Sequence, residues 1–192
     1  VIDTIKTYNT DEINQFSKYF RYSKLSRLID VSERSILSSV TTAQMRKELD
    51  VQLGVGTRYE ISFSNRIDNA TNGRPSTHPN GIGNKITSNA FTFGGFSNCF
   101  LEDNDGIIRI YRELGVENIA VSVNAGTINY TTGKIILTSF APTAFNDGGT
   151  TLKITATPQD KDILPLRNQI ISIRDADISI TMVDDNSISL VS

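Results

Sequence analysis

Residues 126–137 constrain the fold of this chain more than any other segment, because they read as two strands joined by a tight turn. Residues 127–130 and 134–137 are rich in β-branched, aromatic and aliphatic side chains, which favour extended strands. Thr131, Thr132 and Gly133 lie between them, and Gly133 can adopt the positive φ that most residues avoid. Two strands joined by so short a loop are antiparallel neighbours.

From residue 57 onward the chain repeats this pattern of short β-rich runs separated by polar turns. In the first run, Tyr59, Ile61 and Phe63 are predicted to face the core, because alternate side chains of a strand share a face. The other predicted strands are 90–96, 99–101, 107–111, 119–123, 152–157, 170–173 and 178–183. Eight or nine short strands at roughly even spacing predict a mainly β fold, an antiparallel β-sandwich or a barrel-like domain.

Residues 3–30 are predicted to be helical, because their apolar side chains recur close to the spacing of one helical face. Those side chains are Ile5, Tyr8, Ile13, Phe16, Tyr19, Phe20, Leu25, Leu28 and Ile29. Thr10 or Asp11 is predicted to begin a new helix, and Ser23 to cap a further one.

Residues 34–51 fit either a strand or a helix. Residues 40–42 are β-branched, and residues 43–49 alternate in polarity, yet the same seven residues are also good helix formers. We predict a long strand. Helices followed by a strand suggest that residues 1–53 form the second half of a small α/β module, and Gly54 and Gly56 mark its boundary with an antiparallel β domain at 54–192. Because the sequence starts at Val1, we expect a fragment or a processed product.

Composition narrows the function. The 192 residues are 38% hydrophobic and 21% charged, which suits a folded core, and a net charge of -2 offers no basic surface for nucleic acid. A single cysteine, Cys99, allows no disulfide within the chain, which fits a reducing cytoplasm. Neither cysteine nor histidine is present twice, as a tetrahedral zinc site would need. No apolar run approaches the roughly 20 residues of a membrane span, and no signal peptide is recognised.

The candidate catalytic and metal-binding residues are isolated. His78 lies in a long loop at 65–85 without a nucleophile or an orienting carboxylate at a recognisable spacing. The acidic residues 102–105 do not place glycine and glutamate where a calcium loop needs them, and Asp105-Gly106 predicts a hairpin turn instead. Asp103 and Asp105 share that turn, which is a poor arrangement for a glycosidase pair. We predict no catalytic residue, no metal and no cofactor.

Five segments, taken in order, resemble the C-terminal part of a baseplate wedge protein of T-even-like contractile-tail bacteriophages. They are 20–25 (FRYSKL), 31–39 (VSERSILSS), 59–65 (YEISFSN), 126–135 (GTINYTTGKI) and 163–171 (ILPLRNQII). Their shared order carries the resemblance, which runs from about residue 5 to residue 183.

The resemblance implies a structural protein and not an enzyme. Members of this family self-associate as a homodimer or a higher ring in the inner baseplate, and they bind neighbouring wedge proteins. The implied location is the tail baseplate of the virion, after assembly in the host cytoplasm. Family members are much longer than this chain, so it would be their C-terminal portion.

Aromatic and arginine side chains dominate the energetics of protein interfaces, so those on loops are the candidate contact residues. We predict that protein contacts are made by Phe93, Phe96, Tyr111, Arg112 and Phe145, although each phenylalanine also suits core packing. An alternative function is a carbohydrate-binding or adhesin-like β-module. It would need exposed aromatic rings such as Tyr59 or Tyr111, yet the chain has no tryptophan and only six tyrosines.

Overall fold

The computed structural model describes residues 1–69, 85–115, 117–167 and 169–183, and one antiparallel sheet of ten strands dominates it. The strands are β1 (Met45–Asp50), β2 (Thr57–Ser62), β3 (Ile86–Ser88), β4 (Phe91–Phe93), β5 (Phe96–Asn104), β6 (Ile107–Leu114), β7 (Glu117–Asn129), β8 (Lys134–Phe140), β9 (Ala144–Phe145) and β10 (Thr151–Ala156). Their order in the sheet is β1-β10-β3-β5-β6-β7-β8-β2, and β4 pairs with β5 and β9. The sheet curls into a nearly closed barrel, which confirms the predicted fold class.

Two predicted hairpin turns are confirmed, and both depend on positive φ angles. Asp105 and Gly106, between β5 and β6, have φ of 49° and 87°, the conformation that matches the twist of a two-residue hairpin. Gly133 has φ of 66° in the turn that joins β7 to β8. The pairing of Thr127 with Ile136 and of Ile128 with Ile135 fixes the register of that hairpin.

The apolar residues of alternating runs lie on the core side of the sheet, as predicted. Ile61 and Phe63 are buried at β2 and just after it, and the even-numbered residues of β10 are buried along its whole length. The same core includes buried side chains from the N-terminal helices, so the helices pack directly on the barrel.

β7 is longer than predicted and is irregular. Residues 119–123 and 127–129, predicted as separate strands, form one strand of 13 residues. Between the Leu114–Glu117 and Ile107–Thr127 pairs, β6 advances seven residues and β7 advances ten, so β7 contains three additional residues. These bulges bend the strand, and Val123 is 75% exposed within the bulged part.

The N-terminal helical region differs from the prediction in its boundaries. α1 (Ile2–Tyr8) continues without a break into a π-helical turn, Asn9–Ile13, so the predicted new start at Thr10 or Asp11 is wrong. The Thr10 hydroxyl instead donates to the carbonyl oxygen of Lys6, which is the bond of a residue inside a helix. Phe16 is 66% exposed and does not belong to the packed face.

α2 (Tyr22–Asp30) begins one residue before the predicted cap Ser23. Arg21 occupies the N-cap position without a side-chain cap, and the Tyr22 N–H donates to the distant Asp162 carboxylate at 2.9 Å. A residue 140 positions away therefore accepts the hydrogen bond of a free N–H group in the first turn of this helix. The local sequence could not reveal that partner.

The strand predicted over 34–51 is shorter than expected. β1 covers only Met45–Asp50, and Val40 is 96% exposed in a segment without regular structure. β1 pairs with β10 in the same sheet as the other strands. The predicted domain boundary near residue 54 falls in the connection between β1 and β2, and the division at 53/54 stays a prediction.

The strands predicted at 170–173 and 178–183 are wrong. In this part the described residues 169–183 form no strand, and the one regular element is a 3-10 turn, Asp175–Asp177. Ile171, Ile173 and Ile178 pack against the core, which explains the apolar spacing. Among the described residues, no backbone hydrogen bond joins this segment to a strand.

His78 and most of its predicted loop lie outside the described residues. Among the helices that the structure describes, none has the length and apolar character that spanning a bilayer requires.

Candidate functional site

The turn between the two N-terminal helices is bonded through its backbone to Ile163, in the segment that follows β10. Phe20 is buried, and its N–H and carbonyl both bond to Ile163 at 3.0 Å. The buried Tyr8 hydroxyl accepts from the Arg21 N–H at 2.8 Å and donates to the Arg21 carbonyl oxygen at 3.1 Å. The side chains around this turn are therefore held in defined positions.

Residues 169–178, which we name the C-terminal strap, tie the helical region to β1. Three ion pairs join the strap to the rest of the chain: Lys6–Asp175 at 2.9 Å, Arg46–Asp177 at 2.8 Å and Arg174–Glu48 at 2.7 Å. The Ile173 N–H also donates to Asn9 Oδ1 at 2.7 Å. The hydrogen bonds from Arg174 lower the pKa of the Glu48 carboxyl.

The strap reaches both faces of β1. Arg46 and Glu48 point outward from the strand, whereas Lys47, on the opposite face, donates to Gln169 at 2.7 Å. Burial lowers the pKa of the Lys47 ammonium. The strap therefore has side-chain contacts with three successive residues of β1, a strand that pairs with β10.

Among the predicted contact residues, the structure brings Phe96 and Arg112 together at the surface. The Arg112 guanidinium lies over the Phe96 ring, 4.5 Å from its centroid, and Phe96 is 42% exposed. An arginine stacked on an exposed ring presents a flat surface with donors at its edge, a combination common at protein interfaces.

Phe93, Tyr111 and Phe145 lie apart from that pair. Phe145 is buried and packs with Phe93 around the fully buried Phe91, at centroid distances of 6.2 and 6.4 Å from it. Tyr111 is only 7% exposed and stacks on Phe100, and its burial, together with Glu102, raises its pKa to about 12. These three side chains pack within the protein in this structure, and the buried ring of Tyr111 is not open to a sugar.

The acidic segment at 102–105 has structural partners. Asp103 is 1% exposed and accepts the N–H groups of Lys85 and Ile86 and the Tyr130 hydroxyl at 2.7–2.8 Å. Glu102 pairs with Arg109 across the β5–β6 hairpin. Within 1–69, 85–115, 117–167 and 169–183, no cluster of histidine, cysteine, aspartate or glutamate is arranged to hold a metal ion.

Sequence reasoning missed the exposed apolar residues of the N-terminal part. Four large apolar side chains there are mostly in solvent, with exposures of 66% to 96%: Phe16, Val31, Leu37 and Val40. Their spacing resembles that of core positions, so only the structure reveals that they are available for contact.

Residues 1–48 match the family model of the baseplate structural protein gp6, C-terminal domain III. This segment is similar to a phage baseplate wedge protein. The predicted resemblance is thereby confirmed over these residues, and the match supports a structural role in a phage tail baseplate. The extension of the resemblance to residue 183 stays a prediction. The family is one of structural proteins and gives no support to catalysis. None of the curated proteins compared with this chain matches it.

The gp6-like segment, residues 1–48, contains both N-terminal helices and ends inside β1. Its final residues Met45–Glu48 pair with β10, and Glu48 also holds the strap. The matched segment is thus joined to the barrel by a strand pairing as well as by side-chain contacts.

Proposed function

We propose that this chain is a structural component of a bacteriophage tail baseplate wedge that self-associates in the inner baseplate ring and binds neighbouring wedge proteins. The family match of residues 1–48 is the observation that carries the proposal. In this proposal the chain assembles in the host cytoplasm, acts without a cofactor, and contacts neither nucleic acid nor membrane.

The form of the molecule supports such a role. A nearly closed barrel has few free strand edges, and side chains of the strap bind three successive residues of β1. The gp6-like segment is fixed to this scaffold by the Phe20–Ile163 bridge and by the β1–β10 pairing. The gp6-like segment therefore has backbone contacts, at Phe20 and in β1, with residues that follow them by more than 100 positions.

We propose that the exposed apolar side chains of the gp6-like segment and the Phe96–Arg112 pair form protein contacts. Phe96 and Arg112 are the two predicted contact residues that reach the surface together. Phe93, Tyr111 and Phe145 support the shape of the barrel around them through packing.

Light scattering coupled to size-exclusion chromatography tests the proposal. The chain is measured alone at increasing concentration, and then mixed with the neighbouring wedge proteins of the same phage. We expect a mass above the 21.2 kDa of one chain and co-elution with a wedge protein. Phe96→Ala with Arg112→Ala is expected to weaken association by about tenfold or more, because central aromatic and arginine contacts contribute most to such interfaces.

The matched control replaces an exposed apolar residue and an exposed arginine elsewhere, Leu53→Ala with Arg58→Ala, and is expected to associate like the parent chain. A chain that stays monomeric at every concentration and co-elutes with no wedge protein would overturn the proposal.

A further inference from the structure

A cationic groove lies beside the turn that joins the two N-terminal helices. It has a volume of about 280 Å³ and is lined by Tyr8, Glu12, Ser17, Lys18, Tyr19, Arg21 and Lys24. Three of these side chains are cations and one is a carboxylate, so the groove is positive by two charges on a chain whose net charge is -2.

Two of the three cations are available to a ligand. Lys24 is already paired with Glu12 at 2.5 Å. In the part of the chain that the structure describes, neither Lys18 nor Arg21 has a carboxylate partner, and the Arg21 guanidinium lies over the Tyr19 ring at 4.5 Å. The hydrogen bond from Lys24, together with the charges of Lys24, Lys18 and Arg21, lowers the pKa of Glu12.

The backbone around the groove is held in place. Tyr8 bonds both the N–H and the carbonyl of Arg21, and Phe20 is bridged to Ile163 in the segment that follows β10. Ser17 has φ of 64°, a backbone conformation that residues other than glycine rarely adopt. Cations on a fixed backbone lose less entropy on binding than cations on a mobile loop.

We propose that this groove binds an acidic segment of a neighbouring baseplate protein, with carboxylates of that segment paired to Lys18 and Arg21. The identity of the partner rests on the proposed function, whereas the chemistry of the groove does not. Charge complementarity selects carboxylates, and Arg21 can bind one through two parallel hydrogen bonds. Phe16, exposed next to Ser17, gives an apolar side chain of the same segment a surface to pack on, which a free anion would not use.

Fluorescence anisotropy with a labelled peptide of eight glutamates tests this inference. The expected result is binding that weakens with salt and that becomes about tenfold weaker in the Lys18→Glu, Arg21→Glu double variant. The control, Arg34→Glu with Arg58→Glu, changes the net charge equally at exposed arginines outside the groove, and its affinity is expected to stay within about twofold of the parent. Lys18→Gln with Arg21→Gln provides a milder variant, and circular dichroism confirms that each variant is folded.

Three outcomes would overturn the inference: no peptide binding, equal losses in the groove and control variants, or displacement of the peptide by inorganic phosphate more readily than by chloride at equal ionic strength. The last would indicate a site for free anions. The assembly experiment separates the two proposals. Co-elution with wedge proteins without peptide binding would contradict the proposed binding site and retain the proposed function. Peptide binding without any co-elution would retain the binding site and contradict the proposed function.

Discussion

Asp103 joins three parts of the barrel at a single buried carboxylate. It accepts N–H groups at the start of β3 and the hydroxyl of Tyr130 in the β7–β8 turn, while it belongs to β5 itself. A buried carboxylate requires such donors, because an unpaired charge in the interior is costly. The Tyr130 hydroxyl also accepts the Gly106 N–H at 3.3 Å, so one side chain connects two hairpin turns.

Replacing Tyr130 with phenylalanine is expected to lower the free energy of unfolding by about 2 kcal/mol, because Asp103 loses a donor while it remains buried. Urea denaturation measures the change. Tyr19→Phe is the control, since Tyr19 contacts Arg21 through its ring, and it is expected to change stability by less than about 0.5 kcal/mol. Equal stability of the Tyr130 variant and the parent chain would show that the hydroxyl does not support Asp103.

Gly126 lies where β7 and β8 pair, and its missing side chain leaves room for a backbone atom. A Cβ at this position would collide with the Ile136 carbonyl oxygen, which belongs to the ladder itself and cannot move away alone. Gly126→Ala is therefore expected to cost about 3 kcal/mol or more in thermal or urea unfolding. Gly54→Ala is the comparison, because Gly54 has φ of 71° but no neighbour within 4 Å, and its cost is expected to be about 1 kcal/mol. A smaller loss at Gly126 than at Gly54 would contradict this account.

At the level of elements, the strap shows why the sequence misled the strand prediction. Ile171 and Ile173 are two residues apart and both pack on the core, which is the period of a strand. Apolar residues at every second position indicate only that one face of an extended backbone is packed. Whether a second strand lies beside it depends on distant parts of the chain. The hairpins at Asp105-Gly106 and Gly133 were predictable because their turn chemistry is local.

The strap depends on Glu48, and we expect Glu48→Gln to loosen it. Amide hydrogen exchange followed by mass spectrometry should show about two- to fivefold faster exchange over residues 169–178, as expected for an exposed ion pair. The Ile173 amide, bonded to Asn9, is the best reporter. Glu60→Gln removes a comparable ion pair with Lys134 on β2 and β8, and is expected to leave exchange in the strap unchanged. Faster exchange in both variants would point to a general loss of stability.

Low pH, like Glu48→Gln, is expected to speed amide exchange in the strap. Because Arg174 lowers the pKa of Glu48 below its ordinary 4.5, this carboxyl stabilises the folded chain above pH 4.5 and loses its contribution as the pH falls through the lowered value. Exchange over residues 169–178, corrected for the intrinsic effect of pH, should therefore rise below pH 4.5 in the parent chain. In Glu48→Gln that rise should be smaller, and an identical rise in both chains would assign it to other groups.

At the level of the whole molecule, buried tyrosines should make the fold sensitive to alkali. Burial raises the pKa of Tyr111 to about 12 and raises that of Tyr130 as well, from an ordinary value of 10.0. A raised pKa gives stability that is complete below pH 10.0 and is lost as the pH rises through the folded value, because the unfolded chain ionises first. Melting temperatures should fall above pH 10, and Tyr130→Phe should reduce that fall. A flat profile between pH 10 and pH 12 would contradict the prediction.

The mainly β fold could be predicted because strand periods and turn residues are encoded locally. The exposure of the candidate contact residues could not, since exposure is a property of the whole molecule: Phe145 and Phe96 look alike in sequence, yet one is 4% and the other 42% exposed. Likewise, Phe16 and Phe20 both fit a helical face, and only the bridge to Ile163 decides which one is buried.

The pairing of β1 with β10 places partners more than 100 residues apart, with Met45 opposite Ala156. While the chain emerges from the ribosome, the hairpins from β5 to β8 can close one after another, yet β1 has to wait for β10 before it gains a neighbour. The hydrogen bond from the Tyr22 N–H can form only after Asp162, a still later residue, has been synthesised. The pairing of β1 and the bond at the start of α2 can therefore form only after residues 151–162 have been synthesised.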